Sequence, residues 1–173
     1  MFEQLIKREN TIFNALQEFI DSKLHFIVVG GYGVSAYKHR FSIDVDLIIK
    51  SEDKAKFEPV LDKHKFVKTI VKNLDHVYTK EFIRYETKEK LQVSIDFLID
   101  SIGSRITNAS YAIEEIEEYS KMRKIIGIEK EISVLVPNKE LLIVLKLHSG
   151  RLTDFRDVVA MSKDIDVKLI DKL

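Results

Sequence analysis

Val29-Gly30-Gly31 and, after a short helical segment, Asp44-Val45-Asp46 carry the strongest structural signal in the chain. His25 to Val29 is a short β-branched run that stops at two glycines, the pattern of a buried strand followed by a sharp turn. Glycine lets the backbone approach a phosphate closely, and the N–H groups of such a turn can face an anion. By itself the Gly-Gly pair also fits a plain strand-to-helix turn. Asp44 and Asp46 stand one residue apart in a run that continues Leu47-Ile48-Ile49. In a strand they share one side, while Val45, Leu47 and Ile49 face the other, into a core. Two adjacent carboxylates repel unless a cation lies between them, so the pair suits a divalent metal. An exposed strand face is the alternative, which the apolar company of the pair makes less natural.

A third carboxylate extends the pattern. In Val93-Ser94-Ile95-Asp96-Phe97-Leu98 the apolar residues alternate with Ser94 and Asp96. If that strand lies beside the one bearing Asp44 and Asp46, three carboxylates converge, as two-metal phosphoryl chemistry requires. Asp100, at the end of the run, reads as a turn residue.

The rest of the chain supplies a scaffold. Phe2 to Leu24 has one apolar stripe at helical spacing. Helices are expected over Tyr32–His39, from Ser51 to about Leu61, and over Thr107–Glu118. Extended segments are expected at Phe66–Val71, His76–Tyr85 and Leu91–Ile99, and a hairpin at Lys124–Val136 turning at Gly127 and stopped by Pro137. Asn138 is a good N-cap for a helix through Leu141, Leu145 and His148, ended by Ser149-Gly150. Thr153 would cap the next helix, to Ser162, and a short helix closes the chain. Strands dominate early and helices late, which predicts an α+β fold with a mixed sheet flanked by helices and C-terminal helices. The expected organisation is one domain over 1–173: an N-terminal helix (1–24), a sheet core (25–100) and a C-terminal helical portion (104–173), with a break near Ser101 to Ser104.

Composition narrows the function classes. With 45% hydrophobic residues the chain can bury a full core, so disorder is excluded. Lys+Arg and Asp+Glu number 28 each, which gives no global steering toward nucleic acid. There are no cysteines, so disulfides, thiolate nucleophiles and zinc–cysteine sites are excluded. The N-terminus lacks the apolar run of a signal peptide, and no segment has the roughly 20 apolar residues of a membrane span. A cytoplasmic protein with no membrane partner is expected.

The joint pattern resembles the DNA polymerase β-like nucleotidyltransferase superfamily. Gly30-Gly31-Tyr32-Gly33-Val34 with Arg40-Phe41-Ser42-Ile43-Asp44-Val45-Asp46 looks most like the AbiEii-type abortive-infection nucleotidyltransferases and their prokaryotic relatives. The resemblance covers Leu24 to Lys50 best, the Asp96 strand less closely, and Leu141 to Met161 fairly well. It implies a nucleotidyltransferase fold and transfer of a nucleoside monophosphate from a nucleoside triphosphate, such as ATP, to a hydroxyl. Gly30 and Gly31 would contact the triphosphate. Asp44, Asp46 and Asp96 would be catalytic and bind two Mg2+ ions, with Asp96 helping to deprotonate the acceptor. Arg40, Ser42 and Lys146 match nucleotide-contacting positions. The implied acceptor is tRNA, a protein side chain or a small molecule such as an antibiotic, and a toxin role with a cognate antitoxin would follow.

One departure is Tyr32, where many members carry Ser or Thr. Phosphate contact would then rest on backbone N–H groups, with Ser35 or Ser42. Lys146, in an apolar helix, either faces the nucleotide, snorkels to the surface or meets a carboxylate. Arg40 also fits a surface position, and Arg156-Asp157 fits a structural pair holding the C-terminal helices. The five histidines show no metal spacing, and the basic run Tyr119–Lys130 reads first as a hairpin with outward lysines. A catalytically silent nucleotide-binding or protein-interaction module of the same fold is the alternative to an enzyme.

Overall fold

In the computed structural model, which describes residues 2–73, 81–88, 92–104 and 106–173, the chain opens with helix α1 (Phe2–Asp21). Strand β1 (Ile27–Val29) leads directly into a short helix α2 (Gly30–Ser35), and β2 (Asp44–Ile49) follows. Next come α3 (Lys54–Lys63), β3 (Phe66–Asn73), β4 (Glu81–Thr87) and β5 (Ser94–Ile99). A two-stranded ribbon, β6 (Ser101–Gly103) and β7 (Ser110–Ala112), runs into α4 (Ile113–Glu118). The hairpin β8 (Ser120–Ile126) and β9 (Glu131–Pro137) precedes α5 (Lys139–Ser149), α6 (Leu152–Met161) and α7 (Val167–Lys172).

Seven strands form one mixed sheet in the order β3-β4-β5-β2-β1-β9-β8. The β2–β5 and β1–β9 pairs are parallel and the others antiparallel. One face carries Val45, Leu47, Ile49, Ile95, Phe97 and Ile99 and packs on α1 and α3. Phe57 lies between Phe19 and Phe97, with ring centroids 4.9 and 5.2 Å away in edge-on geometry, which favours aromatic contact. The opposite face presents Ile27, Val29 and Ile48 to Ile113, Ile116 and Leu141 of α4 and α5. The period-2 reading of β2 is therefore right: Asp44, Asp46 and Ile48 share the second face.

Several expectations are corrected. The glycines do not precede a helix beginning at Tyr32; they form its first turn, and that helix stops at Ser35. Residues 107–118 are not one helix, because Asn108 has φ 57°, a left-handed conformation a right-handed helix cannot contain. Ser104 N–H instead donates to the Ala109 carbonyl, closing the β6–β7 ribbon. The portion after 104 is consequently not all helical: β8 and β9 extend the main sheet. Strand β8 begins at Ser120, its lysines being those of an edge strand. Thr153 lies inside α6, since Gly150 (φ 67°) caps α5 and only Gly150 and Arg151 separate the helices. The Asn138 cap is as expected, its side chain accepting from Leu141 N–H at 2.9 Å. Residues 76–80 of the second expected extended segment and Leu91 of the third fall outside the described residues.

Candidate active site

Parallel pairing of β2 with β5 sets Asp44 beside Ser94 and Asp46 beside Asp96. The three carboxylates thus gather on one face at neighbouring register positions, as the sequence reading required. Ser42 Oγ donates to Asp44 Oδ1 at 2.7 Å, so this serine orients a carboxylate. Ser35 Oγ is likewise used locally, donating to the Tyr32 carbonyl. Burial pushes the Asp46 carboxyl up to about 7, and the charges of Asp44 and Asp96 add to the effect. Asp96, 2% exposed, is also raised by burial, against the opposing pull of Arg84.

Gly30 explains why glycine starts α2. Its φ is +59°, and a Cβ there would lie 1.8 Å from Asp46 Oδ2. Only glycine admits that conformation and that contact together. A Cβ on Gly31 would meet Ser42 Oγ at 2.7 Å, so both glycines let the β1–α2 junction press against the carboxylate strand.

Arg84 was missed by the sequence reading. It stands opposite Asp96 in the antiparallel β4–β5 pair. Its Nε donates to Asp96 Oδ1 at 2.8 Å and an Nη to Oδ2 at 2.6 Å, a bidentate fork. Alternation of Phe82, Arg84 and Glu86 on β4 puts an arginine on the site face, but only the strand register reveals its partner. Among the described residues, no three His, Cys, Asp or Glu side chains surround one ion position, and both Asp96 oxygens accept from Arg84.

Lys146 is buried and meets carboxylates: its Nζ lies 2.8 Å from Asp154 Oδ1 and 2.9 Å from Asp157 Oδ2. Arg40 also pairs with Asp157, tying the segment before β2 to α6. The expected Arg156–Asp157 pair is replaced by these two partners, because Asp157 faces inward while Arg156 is exposed. Arg151 donates to Asp154 at 2.7 Å. Burial works against the Asp154 anion, yet Arg151 and Lys146 hold its carboxyl well below the usual range.

A cavity of about 310 Å3 adjoins these groups. Gly30, Asp46, Lys146 and Arg151 line it, together with apolar side chains from β5, the β6–β7 ribbon and α5, among them Leu98, Ile102, Leu142 and Leu145. His148 lies on its wall with Nδ1 2.7 Å from Thr107 Oγ1. Two lysines of the β8–β9 hairpin are engaged: Lys124 with Glu131 across the hairpin and Lys130 with Asn14 of α1. Among the described residues no helix is long and apolar enough to cross a membrane.

No protein-family model matches the sequence, and no curated protein matches it significantly. Solved structures do match the fold. The antibiotic-resistance factor ANT(2")-Ia bound to adenylyl-2"-tobramycin superposes with a TM-score of 0.61 at 13% identity, covering 93% of this chain and 91% of that one. The lincosamide antibiotic adenylyltransferase LnuA with lincomycin gives 0.57 at 16% identity, covering 91% and 98%. An antigenic nucleotidyltransferase-like protein from Paracoccidioides brasiliensis gives 0.51 at 14% identity, covering 92% and 75%. Their shared architecture matches the mixed sheet and flanking helices described above, and the chain has the nucleotidyltransferase fold.

Proposed function

We propose that this protein transfers a nucleoside monophosphate from a nucleoside triphosphate to a hydroxyl acceptor. The observation that carries this reading is the β2–β5 register, which pairs Asp96 with Asp46, the carboxylate that lines the cavity against Gly30. The carboxylate set suits divalent cations: Asp44 and Asp96 crowd Asp46, and Arg84 already occupies the role of a compensating cation at Asp96. Asp44, Asp46 and Asp96 would hold magnesium, which in such sites polarises the phosphate and favours the attacking alkoxide. Gly30 leaves room for the Asp46 carboxylate, and Ser42 orients that of Asp44. Lys146 locks α6 onto α5 through Asp154 and Asp157, keeping Arg151 at the cavity, where its charge reaches Asp46 and can meet an anionic ligand.

For the acceptor we favour a small hydroxylated molecule. A largely apolar cavity of about 310 Å3 has the scale of a nucleoside or drug-sized ligand. The fold neighbours include LnuA, a lincosamide antibiotic adenylyltransferase, and ANT(2")-Ia, bound to adenylyl-2"-tobramycin, and 98% of the LnuA chain has a counterpart here. A tRNA or protein acceptor, and a toxin role with an antitoxin, are the other readings of the same chemistry. One observation favours the silent module: Arg84 holds both oxygens of Asp96.

Calorimetric titration with ATP and GTP, with and without magnesium, tests the site. Binding is expected to need magnesium and to vanish in Asp44→Ala and Asp46→Ala. Nucleotide binding indifferent to magnesium and to both substitutions would overturn the assignment.

A further inference from the structure

Arg84 is explained neither by the glycine turn nor by the carboxylate motif. Its side chain is 31% exposed, while that of Asp96 is 3% exposed, so the guanidinium reaches in from the solvent edge of the site. The bidentate fork takes both Asp96 oxygens, the same atoms with which a carboxylate would ligate a cation. A carboxylate that gives one lone pair of each oxygen to the guanidinium offers a metal only the remaining ones, beside a fixed positive charge. Without any cation, Asp96 would be a buried anion beside Asp46 with nothing to balance it. With a divalent ion in place, the guanidinium would face a like charge.

From this we infer that Arg84 is a positioning residue that stands in for the metal: it holds Asp96 until a divalent cation displaces it, and so sets how tightly the site binds that cation. This inference rests on the nucleotidyltransferase reading of the site. The released side chain has somewhere to go. Phe82 and Glu86 share its face of β4, the Phe82 ring centroid is 5.8 Å from the guanidinium carbon, and Glu86 is within electrostatic reach. Arginine stays charged at any working pH, so the competition is one of cations and not of protonation.

The test uses Mn2+ alone on the full chain, with free Mn2+ read by electron paramagnetic resonance, in wild type, R84Q, D96N and R84Q/D96N. R84Q is expected to bind Mn2+ about ten- to a hundred-fold more tightly than wild type, the usual scale for a group acting on a metal's ligands. That gain is expected to disappear in R84Q/D96N. Wild type that binds Mn2+ with R84Q no tighter would overturn the exchange while leaving the metal site standing. No Mn2+ bound by any of these proteins would overturn both. Should R84Q fail to fold, the Nε–H resonance of Arg84 in wild type gives the answer. It is expected to shift as Mg2+ is added, with the same midpoint as the Val45 amide, and an unmoved resonance while Val45 responds would overturn the proposal.

Discussion

Replacing Gly30 with alanine should weaken nucleotide binding on the order of a hundred-fold while leaving the protein folded. The new Cβ would lie 1.8 Å from Asp46 Oδ2 and 2.8 Å from its Cγ, closer than any real contact, so the carboxylate must swing away. The backbone adds strain, since φ is +59° and left-handed backbone costs a non-glycine residue roughly 1–2 kcal/mol. For a domain of this size each kcal/mol lowers Tm by about 2–4 °C, so a loss of about 2–8 °C is expected by calorimetry. Moving Asp46 also relieves its crowding with Asp44 and Asp96, which holds the loss toward the smaller figure. The functional cost is larger, because misplacing a reacting group by about 1 Å costs on the order of a hundred-fold. Gly33→Ala is the control. Its Cβ would meet the Val28 carbonyl oxygen at 3.1 Å and Leu142 Cδ2 at 3.2 Å, away from the carboxylates, so it should lower Tm without changing nucleotide affinity. A Gly30→Ala protein binding magnesium–nucleotide within about threefold of wild type would refute the role given to this contact.

Asp46→Asn should stabilise the protein, increasingly so at higher pH. The folded Asp46 carboxyl titrates near 7 against an ordinary 3.8, so between these values the native state holds a proton the unfolded chain has lost. Wild-type stability therefore falls from about pH 4 to about pH 7, and the advantage of Asn should grow to at most roughly 4 kcal/mol above that window. Urea unfolding across the range checks this, and a gap that does not widen with pH counts against it. Lys146→Met should cost about 3–5 kcal/mol by leaving Asp154 and Asp157 with less compensation, and Asp154→Asn in the same chain should recover part of it. Equal denaturation midpoints for the single and double variants would contradict the coupling. Asn138→Ala removes the α5 cap and should cost about 1 kcal/mol with nucleotide binding unchanged.

What the sequence made legible follows from periodicity. Val45, Leu47 and Ile49 against Asp44 and Asp46 specify a strand with two different faces, and the alternation around Asp96 does the same. Neither stretch states that β2 and β5 are neighbours, because strand pairing joins residues about fifty apart; only the resemblance suggested it. Arg84 stayed hidden for the same reason, since its meaning lies in its cross-strand partner. Lys146 was legible as a lysine out of place in an apolar helix, but its partners on α6 depended on the sharp turn at Gly150. The ribbon walling the cavity was misread as a helix because Ser110-Tyr111-Ala112 carries no strong strand signal and Asn108 breaks the helix by its backbone conformation alone.

The most direct measurement of the central claim is transfer of label from α-32P nucleoside triphosphates, with magnesium, to a panel of hydroxylated small molecules, bulk tRNA and lysate protein, with Asp44→Ala as the control. Label is expected on a small-molecule acceptor, dependent on magnesium and lost in the control; label on tRNA or protein would keep the chemistry and change the acceptor. No magnesium-dependent label on any of the three, from a chain that binds nucleotide, would contradict the enzyme and leave a binding module on a nucleotidyltransferase fold.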